Sequence, residues 1–171
     1  MLGVLRVAAV AALYVILQVA PGQSAERAAL DAMIERAAAE LAIPASLLHR
    51  VVKRESNYRP NARNGPYYGL MQILPQTARQ MGYRGPPSGL LDPQTNLRYA
   101  GRYLKGAWIV SGGKPDLAVR YYSRGYYYDA KRKGLLDETG LGRDRGSKGK
   151  NKKKQNVRQP PEPGLTAGSL Y

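Results

Sequence analysis

Glu55 is the residue in this chain best placed for proton transfer. It follows Val51 by four positions and Val52 by three, so on a helix it extends the face that gathers Leu47, Leu48, Val51 and Val52. A carboxyl at the end of an apolar face is either paired with a cation or held partly desolvated. Desolvation disfavours the charged form and supplies the neutral acid that can protonate a leaving group. The plainer alternative is a solvated salt bridge to Lys53, Arg54 or Arg59, and spacing alone leaves both open. Other chemistries are excluded by composition. The chain has no cysteine, which removes thiol nucleophiles, thiolate metal sites and disulfides. Its one histidine, His49, rules out a multi-histidine metal site and argues against a Ser-His-Asp triad; it reads as a surface or packing residue. No metal or organic cofactor is implied.

The elements that must position Glu55 are helical. Leu30, Met33, Ile34, Ala37 and Leu41 recur at helical spacing between Glu26 and Ile43. Pro44 opens the helix that carries Glu55, because proline is tolerated in a first turn. Residues Asn57 to Tyr68 lose the period and form a loop, and Pro75 to Met81 make a short helix closed by Gly82. Asp92-Pro93 caps and starts a longer helix through Leu97, Ala100, Leu104 and Trp108, which stops at Gly112-Gly113. Pro115-Asp116 starts the next, with Asp116 read as a cap. No stretch sustains strand alternation, so the fold class is all-α.

The ends differ from this core. Residues 1–25 combine a short basic head, an apolar run from Val7 to Ala20 and small residues before Glu26, the pattern of a secretory signal peptide cut after Ala25. An uncleaved anchor is the alternative, and either way the rest faces away from the cytoplasm. Residues 26–140 form one globular domain. Residues 141–171 are rich in Gly, Lys, Arg and Asn, centred on Lys152-Lys153-Lys154, and read as a disordered basic tail. The net charge of +15, from 27 basic and 12 acidic residues, favours anionic partners: nucleic acid, a membrane surface or an acidic wall polymer. Thirteen tyrosines and no phenylalanine suit both a core rim and a polar, ring-shaped ligand.

An ordered set of segments carries a resemblance. Glu55-Ser56 is followed by Gly69-Leu70-Met71-Gln72-Ile73, Pro75, Thr77-Ala78, Asn96-Leu97, Tyr103-Leu104 and Ala118-Val119-Arg120-Tyr121-Tyr122-Ser123-Arg124-Gly125. The set resembles the soluble lytic transglycosylases, lysozyme-like enzymes of peptidoglycan, over Ile43 to Gly125. The resemblance implies a lysozyme-like domain in which Glu55 protonates the β-1,4 glycosidic oxygen between N-acetylmuramic acid and N-acetylglucosamine. As a carboxylate it would then deprotonate the muramyl 6-hydroxyl, which attacks the anomeric carbon to leave a 1,6-anhydro end. It further implies that Ser56 sets the glutamate or the turn after it, although an ordinary helix-end serine fits as well. Met71 and Gln72 would line the cleft, Gln72 through hydrogen bonds to the sugar; a core place for Met71 is the alternative. Gly69 would allow a tight backbone approach. Tyr122 aligns with a tyrosine whose hydroxyl reaches the glutamate, and Tyr103 lies along the groove or in the core.

The residues fit a one-carboxylate scheme on their own account: after Glu55 the next acids are Asp92 and Asp116, both read as caps, whereas two-carboxylate glycosidases need a second acid at the same bond. Departures from the family pattern are local. Pro66-Tyr67-Tyr68 stands where Gly-Ala is usual, and two tyrosines there could narrow the cleft or add a stacking surface. Ser123-Arg124 replaces Asn-Ala, removing an amide that helps fix the site. Tyr126-Tyr127-Tyr128 before Lys131-Arg132-Lys133 is compatible with a helix that packs tyrosine inward and turns cations outward. The implied protein is a periplasmic or secreted monomer acting on glycan strands, its tail attached to an anionic wall or membrane surface. A hydrolytic, goose-type muramidase and a non-catalytic wall-binding module are the competing readings; nucleic acid is not an expected partner, since no recognised binding motif is present.

Overall fold

The computed structural model describes residues 21–142. Among these residues six helices occur in order: α1 (Pro21–Leu41), α2 (Ala45–Ser56), α3 (Pro75–Gln80), α4 (Pro93–Val110), α5 (Pro115–Arg124) and α6 (Tyr127–Arg132). Two two-residue strands, β1 (Arg63–Asn64) and β2 (Tyr67–Tyr68), pair antiparallel between α2 and α3, and a 3-10 turn covers Pro87–Leu91. The domain is α-helical, as the periodicities predict. Residues 1–20 and 143–171, which hold most of the expected export segment and basic tail, lie outside the described residues; the expected cut after Ala25 falls within α1. Among the described residues no helix is long and apolar enough to cross a membrane.

α4 is the axis of the domain, with α1, α3 and α5 packed around it. It buries Leu97, Ala100, Leu104, Ala107 and Val110, which repeat at three- and four-residue steps. Its start is fixed by the Asp92 side chain, which accepts from Thr95 N at 2.8 Å. Gly101 and Gly106 let neighbours come close: a Cβ would meet Leu41 at the first and the Tyr126 ring at the second. Asp116 is not a cap. Lys114 holds that position without a side-chain bond, and Asp116 sits exposed in the first turn of α5, paired with Arg50 of α2 at 2.6 Å. Proline at the start of α5 already removes one orphan N–H, and the acid there is free to answer a cation on the neighbouring helix.

Tyrosine does the work of phenylalanine in the core. The Tyr103 ring meets Tyr126 at 4.8 Å and Tyr122 at 5.5 Å, and the Tyr126 hydroxyl donates to Tyr103 O at 2.8 Å. α6 forms where the Tyr126–Lys133 segment allowed a helix: Tyr126 is buried, whereas Tyr128 is 71% exposed. Asp129 pins this helix to α5, accepting from Arg124 at 3.0 Å and Arg132 at 2.7 Å. His49 ties α2 to α1, with Nε2 3.2 Å from Glu35 and Nδ1 3.3 Å from the Tyr58 hydroxyl.

Candidate active site

Glu55 lies in the last turn of α2, and two left-handed residues just beyond that helix turn the chain sharply away from it. Asn57 (φ 50°) and Tyr58 (φ 62°) hold a conformation costly for a bulky residue and maintained here by the surrounding contacts. Asn57 N returns to Lys53 O at 3.0 Å, closing the helix. Ser56 is buried and its hydroxyl donates to Val52 O at 3.2 Å, so it braces the final turn and presents nothing to solvent. The Glu55 side chain is 23% exposed, and its ionic neighbour is Arg54, 3.8 Å away. Burial pushes the Glu55 carboxyl above the usual glutamate range, with Arg54 pulling weakly the other way. Of the two sequence-based alternatives, the structure favours partial desolvation, with the salt bridge as the smaller influence.

The residues opposite Glu55 come from the segment between β2 and α3. Tyr68 and Ile73 exchange backbone hydrogen bonds at 3.1 Å, so Gly69 to Gln72 form a closed loop. Gln72 is left-handed (φ 48°), and its amide Nε2 donates to Gly69 O at 2.8 Å and Ala62 O at 3.0 Å. The Met71 side chain is fully buried; its contribution to the site is a carbonyl that accepts from the Tyr122 hydroxyl at 2.8 Å. Beneath the loop lies Asn96 of α4, fully buried. Its Oδ1 accepts from Met71 N at 2.9 Å, and its Nδ2 donates to Tyr68 O and Leu90 O, each at 2.8 Å. Gly69 (φ +72°) leaves no room for a Cβ, which would collide with Leu90 O and the Asn96 amide. Gly69→Ala is therefore expected to cost about 2–4 kcal/mol of stability in a urea titration, through the clash and the left-handed φ together; a loss under about 0.5 kcal/mol would show that the loop yields easily.

Glu55 opens on a cleft of about 700 Å³ lined also by Arg54, Arg59, Arg63, Tyr67, Gln72 and Tyr122. A second compartment of about 230 Å³ shares Tyr67, Gln72, Tyr122 and Ser123 with it and runs on to Thr77, Tyr103 and Arg124. Glu55, Gln72 and Tyr122 thus meet in one groove, and Tyr103 lies along its extension. Gly69, Met71 and Ser56 shape the groove from behind. The Tyr122 hydroxyl does not bond to Glu55; it is spent on Met71 O. Even so, Tyr122 titrates well above the usual tyrosine range, chiefly from burial and then from the Glu55 charge, which marks the two as electrostatic neighbours. Burial pushes Tyr103 up to about 12, so both hydroxyls stay protonated at neutral pH. Among the described residues no three His, Cys, Asp or Glu side chains converge as a metal site would require. Asn96 is the part that sequence reasoning left without an assigned role, while Tyr67 was read only jointly with Tyr68, as narrowing the cleft or adding a stacking surface. The signal for Asn96 was its position on a helix face with Leu97 and Ala100, where an amide is buried only if its bonds are made.

The order of these parts along the chain can be set against known families. The transglycosylase SLT domain matches residues 32–134, which run from within α1 to just past α6. The chain belongs to the SLT transglycosylase family. No solved structure matches it significantly. The SLT domain therefore spans the helical core from the middle of α1 onward, including α2 with Glu55, the Gly69–Ile73 loop and the Tyr122 helix. Membership places the chain among lytic transglycosylases, whose substrate is peptidoglycan.

Proposed function

We propose that this SLT domain cleaves the β-1,4 bond between N-acetylmuramic acid and N-acetylglucosamine without water, leaving 1,6-anhydromuramyl ends. The observation that carries the reading is a partly buried carboxyl, Glu55, with a raised proton affinity and facing an open cleft long enough to continue past Tyr122. Protonated Glu55 donates to the glycosidic oxygen as the bond to the anomeric carbon breaks. The resulting carboxylate takes the proton of the muramyl 6-hydroxyl as that oxygen closes on the anomeric carbon. Glu55 ends protonated, ready for the next bond. Gln72 is held by its own amide donors, so its side-chain carbonyl is the atom left to accept from a sugar hydroxyl. Tyr122 fixes the loop through Met71 O, and Tyr103 lines the extended compartment where the next sugar would lie. The chain acts outside the cytoplasm as a monomer on glycan strands, with the expected export segment delivering it and the basic tail holding it to anionic surfaces.

Digestion of purified peptidoglycan, with mass spectrometry of the released muropeptides, tests this. Anhydro ends support the reading; reducing ends replace it with a hydrolase on the same scaffold. Products of neither kind, with wall binding retained, leave a binding module. The pH profile gives a second check. The first step needs protonated Glu55, so kcat/KM falls as pH rises through its raised pKa. The Arg54 cation lowers that pKa, so Arg54→Gln removes the opposing influence and moves the alkaline limb to higher pH. A limb that stays in place or moves down would separate Arg54 from the titration.

A further inference from the structure

The cleft around Glu55 is strongly one-signed. Among the described residues that line it, three are arginines, Arg54, Arg59 and Arg63, and Glu55 is the one acid. Arg54 is engaged with Glu55 itself. The other two have no carboxylate partner among the described residues. Both are nevertheless oriented. Arg59 spends Nε on Ser56 O at 3.0 Å, which leaves its two outer nitrogens free. Arg63, on β1, lays its guanidinium over the Tyr68 ring at 4.8 Å, which covers one face and leaves the donor edges open. Two pre-oriented guanidinium forks beside a sugar groove match the geometry of carboxylate ligands.

Resting on the reading of this cleft as the glycan-strand site, we propose that Arg59 and Arg63 form an anion subsite that selects strands bearing carboxylates close to the bond being cut. Two groups on the polymer supply that chemistry: the lactyl carboxylate of an unsubstituted muramyl residue, and the carboxylates of a peptide attached there. A neutral sugar strand offers the forks no charged partner and leaves two cations uncompensated in the same cleft. The preference is local to the cleft and separate from the general attraction that a chain of net charge +15 exerts on any polyanion.

Binding, read by fluorescence anisotropy of end-labelled soluble glycan strands, tests this without depending on cleavage. The protein is the full chain carrying Glu55→Gln, so that strands survive the titration. Four ligands are compared: peptide-bearing strands, strands stripped of peptide, and each of these with its carboxylates amidated. Amidation is expected to weaken binding about fivefold to tenfold at low salt, the scale of two exposed charge-assisted contacts. Arg59→Gln with Arg63→Gln should erase that difference, and the matching lysine pair should restore part of it. Lys114→Gln with Lys131→Gln, two exposed positions outside the cleft, removes the same charge and should leave the difference intact. Loss confined to stripped strands assigns the subsite to the lactyl group; loss confined to peptide-bearing strands assigns it to the peptide. Equal binding of anionic and amidated strands overturns the proposal, as does an arginine pair whose removal changes no more than the lysine control. A wild-type chain that yields no anhydro ends sinks the transglycosylase reading but leaves this binding result standing.

Discussion

On the mechanism proposed above, Glu55→Gln will lower the release of anhydromuramyl ends by about a thousandfold or more, because the same carboxyl would serve as acid and then as base. Glutamine keeps the shape of the side chain and cannot give up or take a proton. The fold should survive, and its pH dependence separates a chemical defect from a structural one. Burial raises the Glu55 pKa in the folded chain, so between the unfolded and folded values the native state holds the extra proton. The stability linked to that proton is fully present below the unfolded pKa and is lost as pH rises through the folded one. Wild-type melting temperature should therefore decline across that window relative to the glutamine variant, which carries no such proton. At pH 8 the inactive variant should be at least as stable as the wild type. An inactive variant that also melts well below the wild type at pH 8 would mean that Glu55 is structural.

Asn96→Leu is expected to be the most destabilising single change around the site. The leucine fills the space but strands Met71 N and Leu90 O and takes from Tyr68 O one of its two donors, leaving it Ile73 N. Each buried polar group left unpaired costs about 1–3 kcal/mol, so the two stranded groups with the weakened Tyr68 carbonyl come to about 3–5 kcal/mol together. Against a total of about 5–15 kcal/mol that is a large share, and Tm should drop by roughly 10–20 °C. Asn96→Asp retains the acceptor for Met71 N while turning a carboxylate oxygen toward two carbonyls. It should be comparably damaging at neutral pH and recover in part in acid, where a protonated carboxyl can donate again. A fall of less than about 3 °C for the leucine variant would mean that the loop finds other partners, such as water.

The helices were legible because they are punctuated. Asp92-Pro93 and Gly112-Gly113 bracket α4, and both marks act through backbone geometry that no tertiary contact has to supply. Glu55 was legible because the α2 face ends on it. Other features depend on partners distant in sequence. Met71 could be read as a cleft or a core residue; the structure buries its side chain and uses its carbonyl, an atom every residue has. Asp116 has the sequence context of a cap, yet a cation 66 positions away claims it. β1 and β2 are two residues each, too short for any alternation to show. The tyrosines at Tyr67 and Tyr68 were visible as a departure, but which faces the groove depends on the hairpin register: Tyr67 is 41% exposed and lines both compartments, while Tyr68 is partly buried and lies beneath Arg63.

The Asn96 amide also bears on how a strand is captured. By joining the loop after Gly69 to the first turns of α4, it makes one wall of the groove an outgrowth of the domain's central helix. That wall is ordered when the protein folds, so a ligand arriving there meets a rigid template and loses none of its affinity to arranging it. The hairpin tip at Asn64–Tyr67 is built differently: it is exposed throughout and carries Gly65 in a left-handed turn. The groove thus pairs a wall tied into the domain's central helix with an exposed hairpin tip.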